Sequence, residues 1–361
     1  MTMVLPVLGP AGLQRFRELR PAAIAAVTQR FYDTHGSIYE QFGPAGREAC
    51  REDLAFHLEF LQPVIEFGEL RPMVQYLRWL GSVLVAREIP AQHLGLSLDW
   101  LGQFFSGSMA PEDGAIVAAA LAAARDAFVS GGPAQEAEGF QAPEAWPQSA
   151  AFEAELLAGN QRGASQVMID ALNEGHDLVG IEMHILQPAL YRIGEKWQAN
   201  EVSVAQEHLA TAITQSAMSH GLLLSEPPMP AGRQVLLACV QGNGHFVGLQ
   251  MVADAFQLAG WSVQFLGANV PTAALVGQVQ KWKPDLVGLS VSFPHQLRVV
   301  KDIMGRLAGA MGDARPRVMV GGLAINRFDG LAALVGADAW SPDSASAVTT
   351  GSALLGPLRP G

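Results

Sequence analysis

A histidine between glycines is the first residue of this chain whose setting suggests chemistry. It is His245, in a segment at 243–248 that reads Asn-Gly-His-Phe-Val-Gly and follows a short apolar run. Because glycine has no Cβ, Gly242, Gly244 and Gly248 would let this loop approach a ligand closely. A lone histidine in a loop more often has no ligand, so the histidine by itself leaves both interpretations open.

Small residues follow two further apolar runs in the same half of the chain. Ser290 and Ser292 come at the end of the third run, and Gly321 and Gly322 come at the end of the fourth. In an open parallel sheet, ligands bind outside the carboxyl ends of the strands, where the strand order reverses. We therefore expect these residues to lie with His245 at one edge of a sheet, around one ligand.

A dinucleotide site is the rival interpretation of the glycine loop. The dinucleotide fingerprint has two residues between its second and third glycines, whereas three residues separate Gly244 from Gly248. It also needs an acidic residue near the end of the second strand, and the segment at 267–269 reads Gly-Ala-Asn. Nicotinamide binding is therefore not expected.

A second group of chemically interesting residues lies upstream, in a helical region. Trp197 is separated by nine residues from the pair Glu207 and His208. Between them, Ser203 and Gln206 form a capping-box pattern that predicts the start of a helix. Trp197 then lies near the end of one helix and the Glu-His pair in the first turns of the next, at one end of a bundle. The alternative is that the tryptophan is packing and the Glu-His pair is a solvated face.

The elements that must position these residues are predicted from the period of the apolar pattern. Residues 1–130 read as a helical domain, with Pro63 expected to end or kink a helix, and a Pro- and Gly-rich linker follows at 131–147. Residues 148–228 read as a four-helix bundle. Residues 229–361 alternate short apolar runs with helices, which predicts a flavodoxin-like, doubly wound parallel sheet of about five strands.

Composition restricts the classes of function. The 361 residues carry a formal net charge of -11, whereas a nucleic-acid surface needs a basic face, so direct nucleic-acid binding is not expected. The apolar run at 115–124 is shorter than the roughly 20 residues that span a bilayer, and no signal peptide is evident at the N-terminus. Cys50 and Cys239 lie in unrelated contexts, which favours a reducing cytoplasm over a disulfide framework.

The loop motif resembles the cobalamin-binding signature Asp-x-His-x-x-Gly, which continues to Ser-x-Leu and Gly-Gly. The resemblance implies that His245 replaces the cofactor's benzimidazole as lower axial ligand of cobalt. It also implies that the nucleotide tail lies near the serines and the paired glycines. Asn243 stands where the family has an acidic residue, and Ser292 where it has leucine. Because Asn243 brings no charge, we expect the imidazole of His245 to be less basic than in the family. The alternative is base-on binding, in which the cofactor keeps its own benzimidazole as the lower ligand.

The spacing of Trp197 and the Glu-His pair is similar to the upper-face motif of light-dependent cobalamin regulators, best known as carotenoid-pathway repressors. The resemblance implies adenosylcobalamin, with Trp197 as a wall for the 5′-deoxyadenosyl group and Glu207 and His208 beside its sugar and base. Gln198 stands where the repressors have the histidine that binds cobalt after light. His208 is a candidate to replace it.

The helical domain at 1–130 loosely resembles a globin-like sensor domain. This suggests photocobilins, in which such a domain holds biliverdin close to cobalamin. Arg78 would pair with bilin propionates, and aromatic side chains would stack on the rings. For each candidate the alternative is an ordinary core or surface residue, and no motif supports Cys50 as a covalent anchor. The candidates for the bilin pocket are His57, Tyr76, Arg78, Trp79 and His93.

These expectations combine into a cytoplasmic, non-enzymatic light sensor that binds adenosylcobalamin, with biliverdin as a candidate second chromophore. No output domain is expected after Pro342, so the signal should pass through a homo-oligomer or a separate effector protein. The alternative from another class is a corrinoid methyl-carrier protein of a methyltransferase system. A dark sensor of cobalamin is a third possibility.

Overall fold

The computed structural model describes residues 5–131, 143–226, 228–328 and 330–356. The chain divides into two compact units, Met1–Glu136 and Ala137–Gly361, which are called unit 1 and unit 2 below. Most of the linker predicted at 131–147 lies outside the described residues.

Unit 1 is helical throughout its described part. Prolines occupy the first turns of four of its five main helices, where the missing N–H costs no intrahelical bond. The core is formed by apolar side chains that recur at helical spacing, such as Leu54, Leu58, Leu61 and Ile65. The helices are α1 (Pro10–Tyr39), α2 (Gly43–Phe67), α3 (Arg71–Val85), α4 (Gln92–Ser108) and α5 (Pro111–Val129).

The expectation that Pro63 would end its helix is wrong, because α2 continues through Pro63 to Phe67. Proline removes one hydrogen bond from the helix. Here Pro63 is buried, and Val64 and Ile65 after it are fully buried in the core. Their burial offsets the lost hydrogen bond, so the helix ends only at Gly68, which has the left-handed conformation that glycine adopts readily.

Unit 2 begins with a helical cap bundle. Its third member is a continuous helical segment in which a π-helical turn, Glu182–Leu186, is inserted between two α-helical parts. The predicted capping box is present: Gln206 N donates to Ser203 Oγ over 3.3 Å, and Ser203 N donates to Gln206 Oε1 over 3.0 Å. The helices are α6 (Gln148–Leu157), α7 (Gln161–Asn173), α8 (Leu178–Ile181), α9 (Gln187–Gln198) and α10 (Val204–Leu224).

A five-stranded parallel sheet forms the rest of unit 2, and its strand order β2-β1-β3-β4-β5 confirms the flavodoxin-like prediction. The order reverses between β1 and β3, which pair in parallel. The strands are β1 (Gln234–Cys239), β2 (Ser262–Phe265), β3 (Leu286–Ser290), β4 (Arg317–Gly321) and β5 (Ala339–Trp340). The helices are α11 (Val247–Leu258), α12 (Thr272–Trp282), α13 (Leu297–Met311), α14 (Leu323–Arg327), α15 (Leu331–Leu334) and α16 (Ser344–Leu355).

Successive residues of β1 point to opposite faces of the sheet and are buried on both. Leu236 packs on the face covered by α12 and α13, whereas Val235 and Leu237 pack on the face covered by α11 and α16. Met251 of α11 belongs to the core of the cap bundle. The bundle therefore packs on the helix that follows the first strand.

Within the part of the chain that the structure describes, none of the helices combines the length and the apolar character needed to cross a membrane.

Candidate functional site

The loops after β1, β3 and β4 meet at one edge of the sheet. The loop after β1 holds Asn243 and His245, β3 ends at Ser290, and β4 ends at Gly321. Asn243 Nδ2 donates to the carbonyl oxygen of Ser290 over 3.0 Å, and Val291 N donates to that of Gly321 over 2.9 Å. These contacts connect all three loops at the position where the strand order reverses.

Asn243 is fully buried and holds the loop in place. Its Oδ1 accepts from the backbone N–H of His245 over 3.0 Å, while its Nδ2 donates to Ser290 O. Both polar groups of its side chain therefore engage main-chain groups. An aspartate here could accept from His245 N but could not donate to Ser290 O, which gives a structural reason for an amide at this position.

His245 extends from this loop with an exposed side chain. Phe293 lies edge-on to its ring, with the centroids 5.2 Å apart and the planes at 78°. Partial desolvation by the surrounding protein lowers the pKa of His245, and the Glu207 carboxylate acts in the opposite direction. A lowered pKa favours the neutral imidazole, which is the form that can bind a metal ion.

The glycines next to His245 leave open space above the loop. A Cβ added at Gly244 or Gly248 would meet no atom within 4 Å, and neither residue has a positive φ. Gly248 lies in the first turn of α11. Neither the backbone nor the packing against the described residues requires glycine at these two positions, which is consistent with the expected close approach of a ligand.

The glycine pair after β4 has a different role. Gly322 has φ +97°, and an added Cβ would lie 2.6 Å from the carbonyl oxygen of Val291. At Gly321 an added Cβ would lie 3.1 Å from Ser341 O. Glycine at 322 therefore lets the ends of β3 and β4 approach each other closely, and glycine at 321 lets the residue after β5 lie close to the end of β4.

The two serines differ in exposure. Ser290 is buried. Burial of Cys239 raises the pKa of its thiol to about 11, and a hydrogen bond with the Ser290 side chain acts in the opposite direction. Ser292 is half-buried, and its backbone N–H donates to Gln296 Oε1 over 3.1 Å. Ser292 is thus the more accessible of the two to a ligand along the sheet edge.

Two residues that sequence reasoning missed complete the loop. Gln296 is buried, and it accepts from Ser292 N and Phe293 N while its Nε2 donates to Gly242 O over 2.9 Å. Asn269 has φ +50°, and its Oδ1 accepts from Gly242 N over 2.7 Å. The only sequence signal for Asn269 is its residue type, since asparagine tolerates the left-handed conformation better than most residues, and that signal is weak.

The cap bundle presents its own polar pair at the start of α10. His208 Nδ1 lies 2.6 Å from Glu207 Oε2, and Glu207 Oε1 accepts from Thr211 Oγ1 over 3.1 Å. The His208 side chain is 75% exposed, so it is accessible to a ligand. Trp197, one residue before Gln198 at the end of α9, is half-buried and packs against the bundle core.

The two halves of the predicted site lie on the same side of unit 2. The Glu207 carboxylate, on α10 of the bundle, is the charged group that partly opposes the lowering of the pKa of His245, in the loop after β1. Since α10 also packs against α11, which begins two residues after His245, the bundle covers this part of the sheet edge. A flat ligand between Glu207 and His245 would contact both parts.

In unit 1, two of the bilin candidates are bonded to each other in the core. His57 Nδ1 lies 2.8 Å from Tyr76 Oη, and both residues are buried. Burial lowers the pKa of His57 to about 4, so its imidazole is neutral. The ring of Tyr76 stacks on Phe60 with centroids 4.0 Å apart. These contacts are those of core residues, the alternative stated for each candidate.

The remaining candidates in unit 1 are more dispersed. His93 belongs to a second aromatic group, where its Nδ1 lies 2.6 Å from Tyr39 Oη and its ring stacks on His35 at 4.6 Å. Arg78 donates to the carbonyl oxygen of Ala127 over 3.5 Å, and Trp79 is 41% exposed. Burial raises the pKa of the half-buried Cys50 thiol to about 11, which disfavours the thiolate that a covalent anchor would need.

Comparison with known protein families agrees with this geometry. Residues 150–220 match one B12 binding domain model and residues 233–348 match another. The first range is the cap bundle and the second is the sheet with its helices. Unit 2 therefore contains a cobalamin-binding module.

Two regulators are among the similar proteins. The HTH-type transcriptional repressor CarH of Myxococcus xanthus is 32% identical over 181 residues, which are 50% of this chain and 58% of the repressor. The repressor CarA of the same organism is 32% identical over 156 residues, which are 42% of this chain and 51% of CarA. The chain thus spans little more than half the length of these two relatives.

Corrinoid proteins are similar as well. Dimethylamine corrinoid protein 3 of Methanosarcina acetivorans is 28% identical over 144 residues, or 38% of this chain and 67% of that protein. The structure of the Methanosarcina barkeri monomethylamine corrinoid protein superposes with a TM-score of 0.47 at 21% identity, over 55% of this chain and 94% of the other.

Proposed function

We propose that this chain is a light sensor that binds adenosylcobalamin between the cap bundle and the sheet edge. The observation that carries the proposal is the placement of Glu207, with His208 beside it, on the same side of unit 2 as His245. A methyl group on cobalt needs only an apolar cap. An adenosyl group needs an aromatic wall and polar partners, and the bundle offers both residue types.

The residues fit this cofactor in their chemistry. His245 would offer a neutral imidazole as a cobalt ligand, and Gly244 and Gly248 add no side chains that would hinder the approach of a ligand to it. The bound cofactor would supply a Co–C bond that visible light breaks. Glu207 and His208 would bind the sugar and base of the upper group in the dark and lose these contacts in the light.

The signal would pass through a rearrangement of the bundle against the sheet. A ligand shifts such an equilibrium only by the difference in its affinity for the two states, and the contacts of Trp197, Glu207 and His208 with the upper group would supply that difference. We propose a change in homo-oligomeric state, or the binding of a separate effector protein, as the output. In this role the chain acts as a cytoplasmic sensor without an enzymatic activity or a direct nucleic-acid contact.

Biliverdin in unit 1 is proposed as a second chromophore. The support is the loose resemblance to a globin-like sensor and a group of aromatic rings around His93 that includes His35, Tyr39 and Trp100. In this interpretation the rings around His93 would stack on a bilin; the polar atoms of His93 and Tyr39 bond each other, as do those of His57 and Tyr76.

A corrinoid methyl carrier is the second candidate, favoured by the similarity to dimethylamine corrinoid protein 3, of which this chain covers 67%. The two functions differ in the upper group that they must recognise. The test is to titrate Trp197→Ala with adenosylcobalamin and with methylcobalamin in the dark. We expect Trp197→Ala to weaken adenosylcobalamin binding more than methylcobalamin binding, since only the larger group should reach the tryptophan.

The matched control is Trp282→Ala, which removes a tryptophan that packs on the opposite face of the sheet. Equal weakening of both cobalamins by Trp197→Ala would contradict the adenosyl assignment and favour the carrier.

A further inference from the structure

Two buried carboxyl groups lie against each other where the cap bundle packs on the sheet domain. Glu182 belongs to the π-helical turn of the bundle and is 0% exposed, and Asp254 lies on α11 and is 5% exposed. A side-chain interaction between Glu182 and Asp254 affects the pKa of both carboxyls. Neither residue belongs to the candidate cobalamin site.

The surroundings of this carboxyl pair provide little compensation for negative charge. Both carboxyl oxygens of Glu182 and the Oδ2 atom of Asp254 lack a hydrogen-bond donor among the described residues. Burying two unpaired carboxylates in contact would cost several kcal/mol, so at least one must take up a proton. Burial raises the pKa of Glu182 well above its ordinary value, and nearby Asp254 raises it further. Burial likewise raises the pKa of Asp254, to about 6.

Other charged groups on the packed elements are engaged elsewhere or exposed. Glu153 on α6 pairs with Arg192 and Lys196 of α9. No charged residue besides Asp254 occurs in the sequences of α11 and α16. None of these groups acts on the pKa of Glu182 or Asp254. The others on the packed elements are Glu155 of α6, Arg162 and Asp170 of α7, His184 of the π-helical turn, Glu195 of α9, and Glu207, His208 and His220 of α10.

We propose that Glu182 and Asp254 share a proton as a carboxylic acid–carboxylate pair that joins the cap bundle to the sheet domain. In the closed arrangement, the O–H of one carboxyl donates to the carboxylate of the other. When the bundle separates and water enters, the O–H bond breaks, its electron pair stays on the carboxylate, and the proton passes to the buffer. The contact between bundle and sheet domain is thereby coupled to pH.

The carboxyl pair lies on two elements that are close to other notable features of unit 2. Asp254 lies two helical turns after the start of α11, and that helix begins two residues after His245. On the bundle side, His184 of the same π-helical turn stacks on Trp146, with ring centroids 4.7 Å apart. Single-turn π-helices inside α-helices occur frequently at functional sites.

The direction of the pH effect follows from the raised pKa values. The closed form binds more protons than the open form, so the stability of the contact is fully present below the ordinary carboxyl pKa and is lost as the pH rises through the raised values. For Asp254 this window lies between its ordinary value of 3.8 and about 6, and for Glu182 it begins at 4.5 and extends upward.

Hydrogen exchange of the full chain without cofactor tests the proposal between pH 5 and pH 8, after correction for the intrinsic pH dependence of exchange. In the unmodified chain, we expect protection of the segments 178–186 and 247–258 to fall with rising pH. The fall should reach up to about tenfold per pH unit for each extra proton. In Glu182→Gln, the fall should be clearly smaller, because the amide carries no titrating proton and only the Asp254 carboxyl still titrates.

Glu195→Gln is the control, since it removes an exposed carboxylate of the same bundle, and it should keep the pH dependence of the unmodified chain. The same pH dependence in Glu182→Gln as in the unmodified chain would overturn the proposal. Asp254→Asn provides the same test with the amide on the other partner.

An infrared measurement on the unmodified chain does not depend on how the variants fold. A protonated carboxyl has a C=O stretching band distinct from that of a carboxylate. We expect such a band at neutral pH in the folded protein and its loss on unfolding. Its absence from the folded protein at neutral pH would overturn the proposal.

Discussion

At the scale of single residues, the site combines buried amides that hold the loops with exposed histidines that can reach a ligand. Asn243 and Gln296 bind main-chain groups of two different loops, and their geometry is complete without a cofactor. His245 and His208 instead have exposed side chains. The rigid part of the site and the part that meets the ligand are therefore different residues.

His245→Ala should remove the histidine-ligated spectrum of bound cobalamin, because no imidazole then remains in the loop after β1. An absorption spectrum of the reconstituted variant measures this. His176→Ala serves as the control, since that histidine packs on Trp146 in the bundle. An unchanged spectrum in His245→Ala would mean that the cofactor keeps its own benzimidazole as lower ligand.

Asn243→Asp should destabilise the apoprotein by about 1–3 kcal/mol, although it restores the acidic residue of the family signature. The carboxylate cannot donate to Ser290 O and would face that carbonyl oxygen inside the protein. Urea unfolding measures the difference. Asn269→Asp keeps the acceptor for Gly242 N and should have a smaller effect. Equal or higher stability of Asn243→Asp would show that the loop rearranges.

At the scale of elements, the capping box places the ligand-facing residues of α10. Ser203 and Gln206 fix the first turn, and Glu207 and His208 follow at once. The preceding helix, α9, ends at Gln198, and only a short loop separates it from the start of α10. A change in the first turn of α10 would therefore move the polar pair relative to Trp197.

Ser203→Ala should cost about 1 kcal/mol of stability, because it removes the acceptor for the Gln206 N–H. Thermal unfolding of the apoprotein measures this. Ser203→Asp retains an acceptor at the cap and should be close to the unmodified chain. If Ser203→Ala and Ser203→Asp lost equal stability, the contribution of the cap would be refuted.

Local sequence patterns predicted most helices and strands. They failed where the outcome depends on contacts with side chains that are distant in the sequence. The alternation of apolar runs with helices was enough for the parallel sheet, and the capping box for the start of α10. Pro63 was judged by its local effect alone, and the burial of its neighbours outweighed that effect. The contact of Glu182 with Asp254 depends on how the bundle packs on α11, and no local pattern encodes this packing.

At the scale of the whole molecule, the hydrophobic clusters of unit 2 are formed within unit 2. The buried residues of the cap-bundle cluster start at Phe152. The clusters on the two faces of the sheet contain only residues after 228. Its cobalamin module should therefore keep its core without unit 1.

Deleting residues 1–130 should leave cobalamin binding intact and abolish the binding of biliverdin. Absorption spectra of the truncated chain after incubation with each chromophore measure both properties, and the full chain is the control. Loss of both chromophores would mean that unit 1 is part of the cobalamin site. Retention of biliverdin would refute its assignment to unit 1.

The most direct test of the proposed light sensor is sedimentation velocity of the adenosylcobalamin complex, in the dark and after green light. Absorption spectra taken on the same samples report whether the Co–C bond has broken. Light also breaks this bond in free alkylcobalamins, so a spectral change alone does not define a sensor. We predict that the sedimentation coefficient changes together with the spectrum, and that the methylcobalamin complex does not reproduce the dark adenosylcobalamin state. A spectral change with no change in sedimentation, and the same behaviour with both cobalamins, would contradict the light sensor and favour a methyl carrier.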